Sequence, residues 1–249
     1  MKKNLWLVAL GVAAFVLFAL VTLPARVVLK PLASHGIIVN GVTGTFWKGT
    51  AQVVQAGAIN LGSVEWDMHA LPLLTGRVVA DVKLTRADGF VQANVSATPS
   101  GRIALSELMA SLPLSTLPPS VAPQGWLGKV NVKLASLVVA NGWPASAVGT
   151  VEVIDLVGPP RQPAAMGSYK LTFPEQSRSD VITGALTDIN NGPLQIAGTL
   201  ELKAADRSYV INGLVATRPD ASPQLANSLQ FLGPPDAQGR RPVSLAGTM

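Results

Sequence analysis

The chain opens on an unbroken apolar run and then changes rhythm. Leu5 to Leu23 (LWLVALGVAAFVLFALVTL) holds 19 residues without a charge or a proline. At 1.5 Å per residue a helix of that length spans about 28 Å, close to a hydrocarbon core of about 30 Å. Leu5, Trp6, Phe15, Phe18 and Leu23 are its anchor residues. Small residues do not stand at both −3 and −1 of a cut after Ala19 or Ala25, so the pattern reads as an uncleaved anchor and not a signal peptide. Ala25 to His35 continues as a juxtamembrane turn, and Gly36 stops it.

From Ile37 the dominant signal is alternation bounded by glycine. Val78, Ala80, Val82 and Leu84 share one face, with Arg77, Asp81 and Lys83 on the other. After Asp88-Gly89, Val91, Ala93 and Val95 alternate with polar residues, which is a hairpin signal. Further runs at 129–134, 137–139, 149–154, 168–173, 181–186, 194–202 and 208–214 bring the count to about ten short strands. Asn190-Asn191-Gly192 marks another turn. This predicts a mainly β fold, an extended or curved antiparallel sheet with one or two short helices.

Two stretches break the alternation. Ser106 to Leu112 (SELMASL), ended by Pro113, predicts one or two helical turns. Ser222-Pro223 pairs an N-cap with proline at the first helical position, and Leu225, Leu229 and Leu232 follow on one stripe. With Gly233 as the stop, this predicts a helix from Pro223 to Leu232. Residues 1–36 therefore form the stub, span and juxtamembrane segment, and 37–249 the β domain. Proline-rich stretches at 113–123 and 158–163 are candidate joints between two sub-modules. Gly-Thr pairs at 44, 149, 198 and 247, each read as a strand edge, hint at an internal repeat. One continuous sheet fits the spacing equally well.

Composition narrows the function. Charged residues are 13% and apolar residues 48%, which excludes a disordered chain. Zero cysteine excludes disulfides, thiolate metal sites and cysteine nucleophiles. The net charge of +5 is local: Lys2, Lys3, Arg26 and Lys30 precede every acidic residue, leaving 15 basic against 14 acidic groups. A body so nearly neutral is a poor partner for nucleic acid. Lys2 and Lys3 ahead of the span favour a cytoplasmic N-terminus and a body across the membrane.

Candidate chemistry is sparse. Nucleophile-elbow, Walker A, H-E-x-x-H and G-x-G-x-x-G motifs are absent. Asp67 and His69 share a strand face, as do Glu65 and Asp67, with Trp66, Met68 and Ala70 facing inward. Both pairs read as the solvated face of a strand, since neither has a third ligand or a cleft. Arg240-Arg241 reads as a solvated loop. The sequence thus predicts no catalytic residue, no metal and no cofactor. Trp47, Trp66, Trp126 and Trp143 stand outside the anchor, as core anchors if buried or contact residues if exposed.

Several of these residues fall into a recognisable order. Gly44-Thr45-Phe46-Trp47-Lys48-Gly49-Thr50-Ala51 resembles the G-T-x-W-x-G-x-A pattern of the type II secretion system protein N family. Val64-Glu65-Trp66 and Leu71-Pro72-Leu73-Leu74-Thr75-Gly76-Arg77 are similar to its next elements. Ile211-Asn212-Gly213, Arg218-Pro219, the Leu225/Leu229 helix, Leu232-Gly233, Asp236 and Gly239-Arg240 are similar to its closing segment. The resemblance singles out Gly44, Thr45, Trp47, Gly49, Trp66, Leu73, Leu74, Gly76, Leu225, Leu229 and Gly233 as motif and interaction residues. It implies a non-enzymatic accessory component of the inner-membrane platform, scaffolding export of folded proteins across the outer membrane. The chain would cross the inner membrane once, with the bulk periplasmic. Its partners would be membrane lipids and other platform subunits or the secretin. Kinship with AsmA-like proteins is also implied, and with it an alternative: a lipid-binding or lipid-transfer protein with an apolar β groove.

Overall fold

The computed structural model describes residues 5–31, 36–57, 59–117, 122, 124–159, 164–175, 181–189 and 192–248. They form two compact units that meet in sequence at Ala87 and Asp88. His35, most of 158–163, part of 113–123 and the Asn190-Asn191 turn lie outside the described residues.

The first unit begins with helix α1 (Leu5–Val21). It contains 17 residues, about 26 Å of rise, two residues short of the predicted span. Among the described residues no helix is long and apolar enough to cross a membrane. The shortening has a local cause. Thr22 N–H still makes the helical bond to the Phe18 carbonyl (3.0 Å), but Leu23 N–H tightens onto the Leu20 carbonyl (3.4 Å), and Pro24, without an N–H, breaks the run. A separate short helix, α2 (Ala25–Leu29), follows, with Ala25 buried.

Five strands complete this unit: β1 (Ile37–Asn40), β2 (Thr43–Gly44), β3 (Lys48–Ala56), β4 (Ile59–His69) and β5 (Val78–Arg86). All pairs are antiparallel: β3 takes β1 and β2 on one side and β4 on the other, and β4 pairs with β5. Ala80, Val82 and Leu84 are half-buried, as their alternation predicts, whereas Val78 at the strand start is exposed. Leu71–Thr75 forms a 3-10 turn between β4 and β5. Ala70, expected to face inward, is instead the exposed residue that opens that turn.

The second unit is a meander. Strands β6 (Gly89–Ala97), β7 (Arg102–Pro113), β8 (Leu127–Ala140), β9 (Trp143–Val157) and β10 (Ala165–Phe173) pair antiparallel in chain order. The series continues through β11 (Val181–Ile189), β12 (Leu194–Lys203), β13 (Ser208–Thr217) and β14 (Arg241–Thr248). Bulges interrupt the register of β6/β7, β8/β9 and β9/β10. Such insertions bend strands and raise their twist. Two of the longer strands carry a left-handed residue, Glu107 (φ 52°) in β7 and Asp155 (φ 52°) in β9. The buried Ser168 hydroxyl accepts the Asp155 N–H at 3.0 Å.

The predicted helix at Ser106–Leu112 is in fact the second half of β7. Local propensity loses because the segment pairs with β6 on one side and β8 on the other, and Leu108 packs against buried Leu134, Ala147, Phe173 and Ile182. The Gly-Thr pairs are not uniformly strand edges, since Gly149 and Gly198 lie in the interiors of β9 and β12. Two further clusters form, around Leu114, Ala122 and Val130, and around Leu194, Val215 and Leu225. Trp143 is buried, with Trp126 half-buried against the second cluster.

Candidate functional site

The motif Gly44 to Ala51 forms the joint between α1 and the sheet of the first unit. Gly44 has φ +89°, and a Cβ there would stand 2.4 Å from the Lys48 carbonyl. The turn closes when the Thr45 N–H donates to that carbonyl (2.8 Å) and the Thr45 hydroxyl accepts the Lys48 N–H (3.2 Å). Closure swings the Trp47 indole onto the helix, where Nε1 donates to the Leu20 carbonyl at 2.8 Å. The Phe46 N–H donates to the Leu23 carbonyl, also at 2.8 Å. Carbonyls in the last turn of a helix need partners from outside it, and Trp47 supplies one, while Phe46 fixes the connection that follows.

Trp66 on β4 supports the joint from beneath. Its Nε1 donates to the Phe46 carbonyl at 3.1 Å, and its ring lies where a Gly49 side chain would be, 2.5 Å from an added Cβ. Gly49 and Ala51 are buried, so neither tolerates bulk. The Met68 N–H donates to the Trp47 carbonyl at 2.6 Å. The spacing G-T-x-W-x-G-x-A thus has a geometric job at each fixed position, while Lys48 points outward to Asp67 at 2.7 Å. His69 Nε2 lies 2.9 Å from Asp81 Oδ2. These pairs sit on the exposed strand face, where ion pairs contribute little.

The anchor residues follow a simple rule: Trp6, Phe15 and Phe18 are all exposed on α1, and Leu23 is half-buried at the joint. Leu5 starts the helix. Apolar residues cover every face of α1. Leu73, Leu74 and Gly76 belong to the 3-10 turn, which Gly76 ends in a left-handed conformation.

The remaining motif residues lie in the second unit. Helix α3 (Pro223–Leu229) is capped as predicted, with the Ser222 hydroxyl accepting the Leu225 N–H at 3.3 Å. It ends three residues early, because the chain tightens so that Gln230 N–H meets the Asn227 carbonyl (3.1 Å) and Leu232 N–H that of Leu229 (3.0 Å). Leu225 is buried, and Leu229 and Leu232 pack beside it. Gly233 and Leu232 offer their carbonyls to Arg241. Arg240 lies in a loop, as predicted, whereas Arg241 does not. Arg240 folds onto the Asp236 carboxylate (Nε to Oδ2, 2.9 Å), and Arg241 starts β14.

A second long-range contact, like that of Trp47, has no signature in the sequence. Arg218 binds Asp188 at 2.6 Å and donates to the carbonyls of Gly192 (2.7 Å) and Leu194 (3.3 Å). Burial pushes the Asp188 carboxyl up, but Arg218 and the Ile196 N–H outweigh it and hold the group below the usual carboxylate range. Tyr169 donates to the Met166 carbonyl. Burial, with Asp188 nearby, pushes its hydroxyl up to about 12. Arg218-Pro219 was legible as a motif, but nothing in sequence marked Asp188 as its partner. Beside this latch a cleft of about 1050 Å³ opens between α3 and neighbouring loops, with Trp126, Met166, Leu225 and the 93%-exposed Phe231 in its lining.

Among the described residues no group of three or more His, Asp or Glu side chains is placed to hold a metal. The arrangement is that of an antiparallel β-sheet protein carrying an apolar N-terminal helix docked by a tryptophan. The profile of the family "Type II secretion system (T2SS), protein N" matches residues 35–244. The chain is 28% identical to the type II secretion system protein N of Aeromonas hydrophila across 99% of both proteins. It is 40% identical to that of Vibrio cholerae serotype O1 over 67 residues, 26% of this chain and 27% of the relative. No solved structure matches. The chain belongs to the type II secretion system protein N family and is a component of that export machinery.

Proposed function

We propose that this protein is an accessory, non-catalytic scaffold held at the inner membrane by α1, with its N-terminus cytoplasmic and its β body periplasmic. The observation that carries the reading is the joint: an all-apolar helix, exposed at every described side chain, is fixed to the sheet by the Trp47–Leu20 hydrogen bond. A helix apolar on every side needs a core or a bilayer around it. Its rise of about 26 Å is short, and a bilayer accommodates that by local thinning and by snorkelling of flanking basic groups such as Lys2 and Lys3. Tethering confines the body to a surface and raises its effective concentration near other platform subunits or the secretin. The eight-residue β14 pairs only with β13 among the described residues, so its outer edge is open to strand addition by a partner.

The test is purification of the full-length chain from its native membrane in a gentle detergent, with mass spectrometry of proteins and lipids in one sample. The scaffold predicts stoichiometric secretion subunits without enriched lipid. A second reading, lipid binding or transfer, draws on the cleft beside α3, whose lining combines Trp126, Met166, Leu225 and Phe231. A tightly held lipid with no protein partner would overturn the scaffold in its favour.

A further inference from the structure

The 3-10 turn at Leu71–Thr75 does something unusual with its leucines. Leu71 is 80% exposed and Leu74 is 85% exposed. Residues three apart in a 3-10 helix eclipse one another, so the two side chains project in one direction. The turn is not a loose loop. Leu73 N–H meets the Ala70 carbonyl (3.2 Å), Gly76 N–H that of Leu73 (3.0 Å), and Arg77 N–H that of Pro72 (3.1 Å). The Thr75 hydroxyl donates to the Pro72 carbonyl at 2.8 Å. Pro72 and Leu73 are half-buried.

Its position supplies the occupant. Met68 is bonded to Trp47, and Trp47 to the end of α1. Leu71 follows Met68 by three residues, at most about 10 Å of chain. The leucines therefore lie at the end of the sheet where the apolar helix enters. The charges at this end favour an anionic surface. Arg26 and Lys30 on and after α2, and Arg77 at the turn, are exposed. On the adjoining strand face Asp67 is matched by Lys48 and Asp81 is hydrogen-bonded to His69, while Glu65 stands exposed farther along β4.

We propose that Leu71 and Leu74 form a second membrane contact, dipping into the interface of the bilayer that α1 crosses, with Arg26, Lys30 and Arg77 meeting anionic headgroups. This rests on the reading of α1 as a membrane anchor. Two contacts instead of one would fix the tilt of the first unit against the membrane, as interfacial apolar side chains and basic clusters do elsewhere.

The chain has no cysteine, so single labels are specific. Full-length Leu74→Cys, Phe15→Cys and Ala87→Cys proteins would carry a nitroxide in phosphatidylcholine bilayers with and without phosphatidylglycerol. Ala87 is exposed at the opposite end of β5 and serves as the water-facing reference. Expected is an oxygen-to-nickel collision ratio at Leu74 several-fold above that at Ala87, rising further with phosphatidylglycerol, and higher still at Phe15. A water-like ratio at Leu74 beside a deep Phe15 overturns this inference and leaves the anchor intact. Immobilisation at Leu74 with shielding from both reagents also overturns it, in favour of a protein contact. A water-like Phe15 overturns the anchor and this inference together.

Discussion

The Trp47 indole donates to the Leu20 carbonyl across 27 positions of sequence, and this bond ties the end of α1 to the start of β3. It completes a carbonyl that otherwise has only the long 3.4 Å contact from Leu23 N–H. Trp47→Phe keeps a ring against Phe46 but removes the donor. The expected cost is about 1 kcal/mol, seen as a drop of about 2–4 °C in the melting temperature of the full chain in detergent. Trp47→Ala also removes the ring and should cost about twice as much. Equal melting of wild type and both variants would show that the bond does not hold the joint.

Gly49 is where the joint admits least change. A Cβ would meet Trp66 Cζ2 at 2.5 Å and the Thr43 carbonyl at 2.6 Å. Gly49→Ala should destabilise by about 1–3 kcal/mol and alter Trp66 fluorescence. At Gly57 an added Cβ meets nothing within 4 Å, although its φ of +59° carries its own strain. Gly57→Ala should therefore cost only about 1 kcal/mol and leave the fluorescence alone. Denaturant melts of the two variants check the order.

How far the sequence carried can be judged at this joint. The order of Gly44, Thr45, Trp47 and Gly49 was visible, because a tight turn and a close approach each demand glycine. That Trp47 reaches back to Leu20 was not, since no local pattern records a contact 27 residues away. Most strands were legible from alternation, though β8 read as two pieces. Bulges such as the one between Leu134 and Ser136 shift the phase of the alternation. The SELMASL segment misled because helix propensity is local, whereas β7 is decided by its two neighbours. Asp188 was silent for the same reason.

The Asp188–Arg218 pair makes stability depend on pH. The Asp188 carboxyl is held below its usual value, so its contribution is present above the unfolded pKa near 4 and is lost as pH falls through the lower folded value. Arg218→Ala should cost about 2 kcal/mol at neutral pH. The gap between wild type and variant should narrow by about pH 3, as urea melts at the two pH values would show. A gap independent of pH would mean that Arg218 acts only through the Gly192 and Leu194 carbonyls.

Tyr169 offers a spectroscopic check on the same cluster. The chain has two tyrosines, so a Tyr209→Phe protein leaves Tyr169 as the sole phenol. Its absorbance titration should have a midpoint at about 12. Asp188→Asn removes a neighbouring negative charge and should lower that midpoint. An ordinary midpoint near 10 in the Tyr209→Phe protein would contradict the packing around Met166 and Asp188.

The central claim is that an α1-tethered β sheet holds other secretion subunits through its open edge. Leu245, 54% exposed on β14, is the place to ask. A photo-reactive amino acid at Leu245, irradiated in cells with the export machinery present, tests this most directly. The account predicts a crosslink to another secretion subunit, and none from the same group at Ser100 in the β6–β7 turn. Crosslinks from Leu245 to lipid alone, or to nothing, would contradict it.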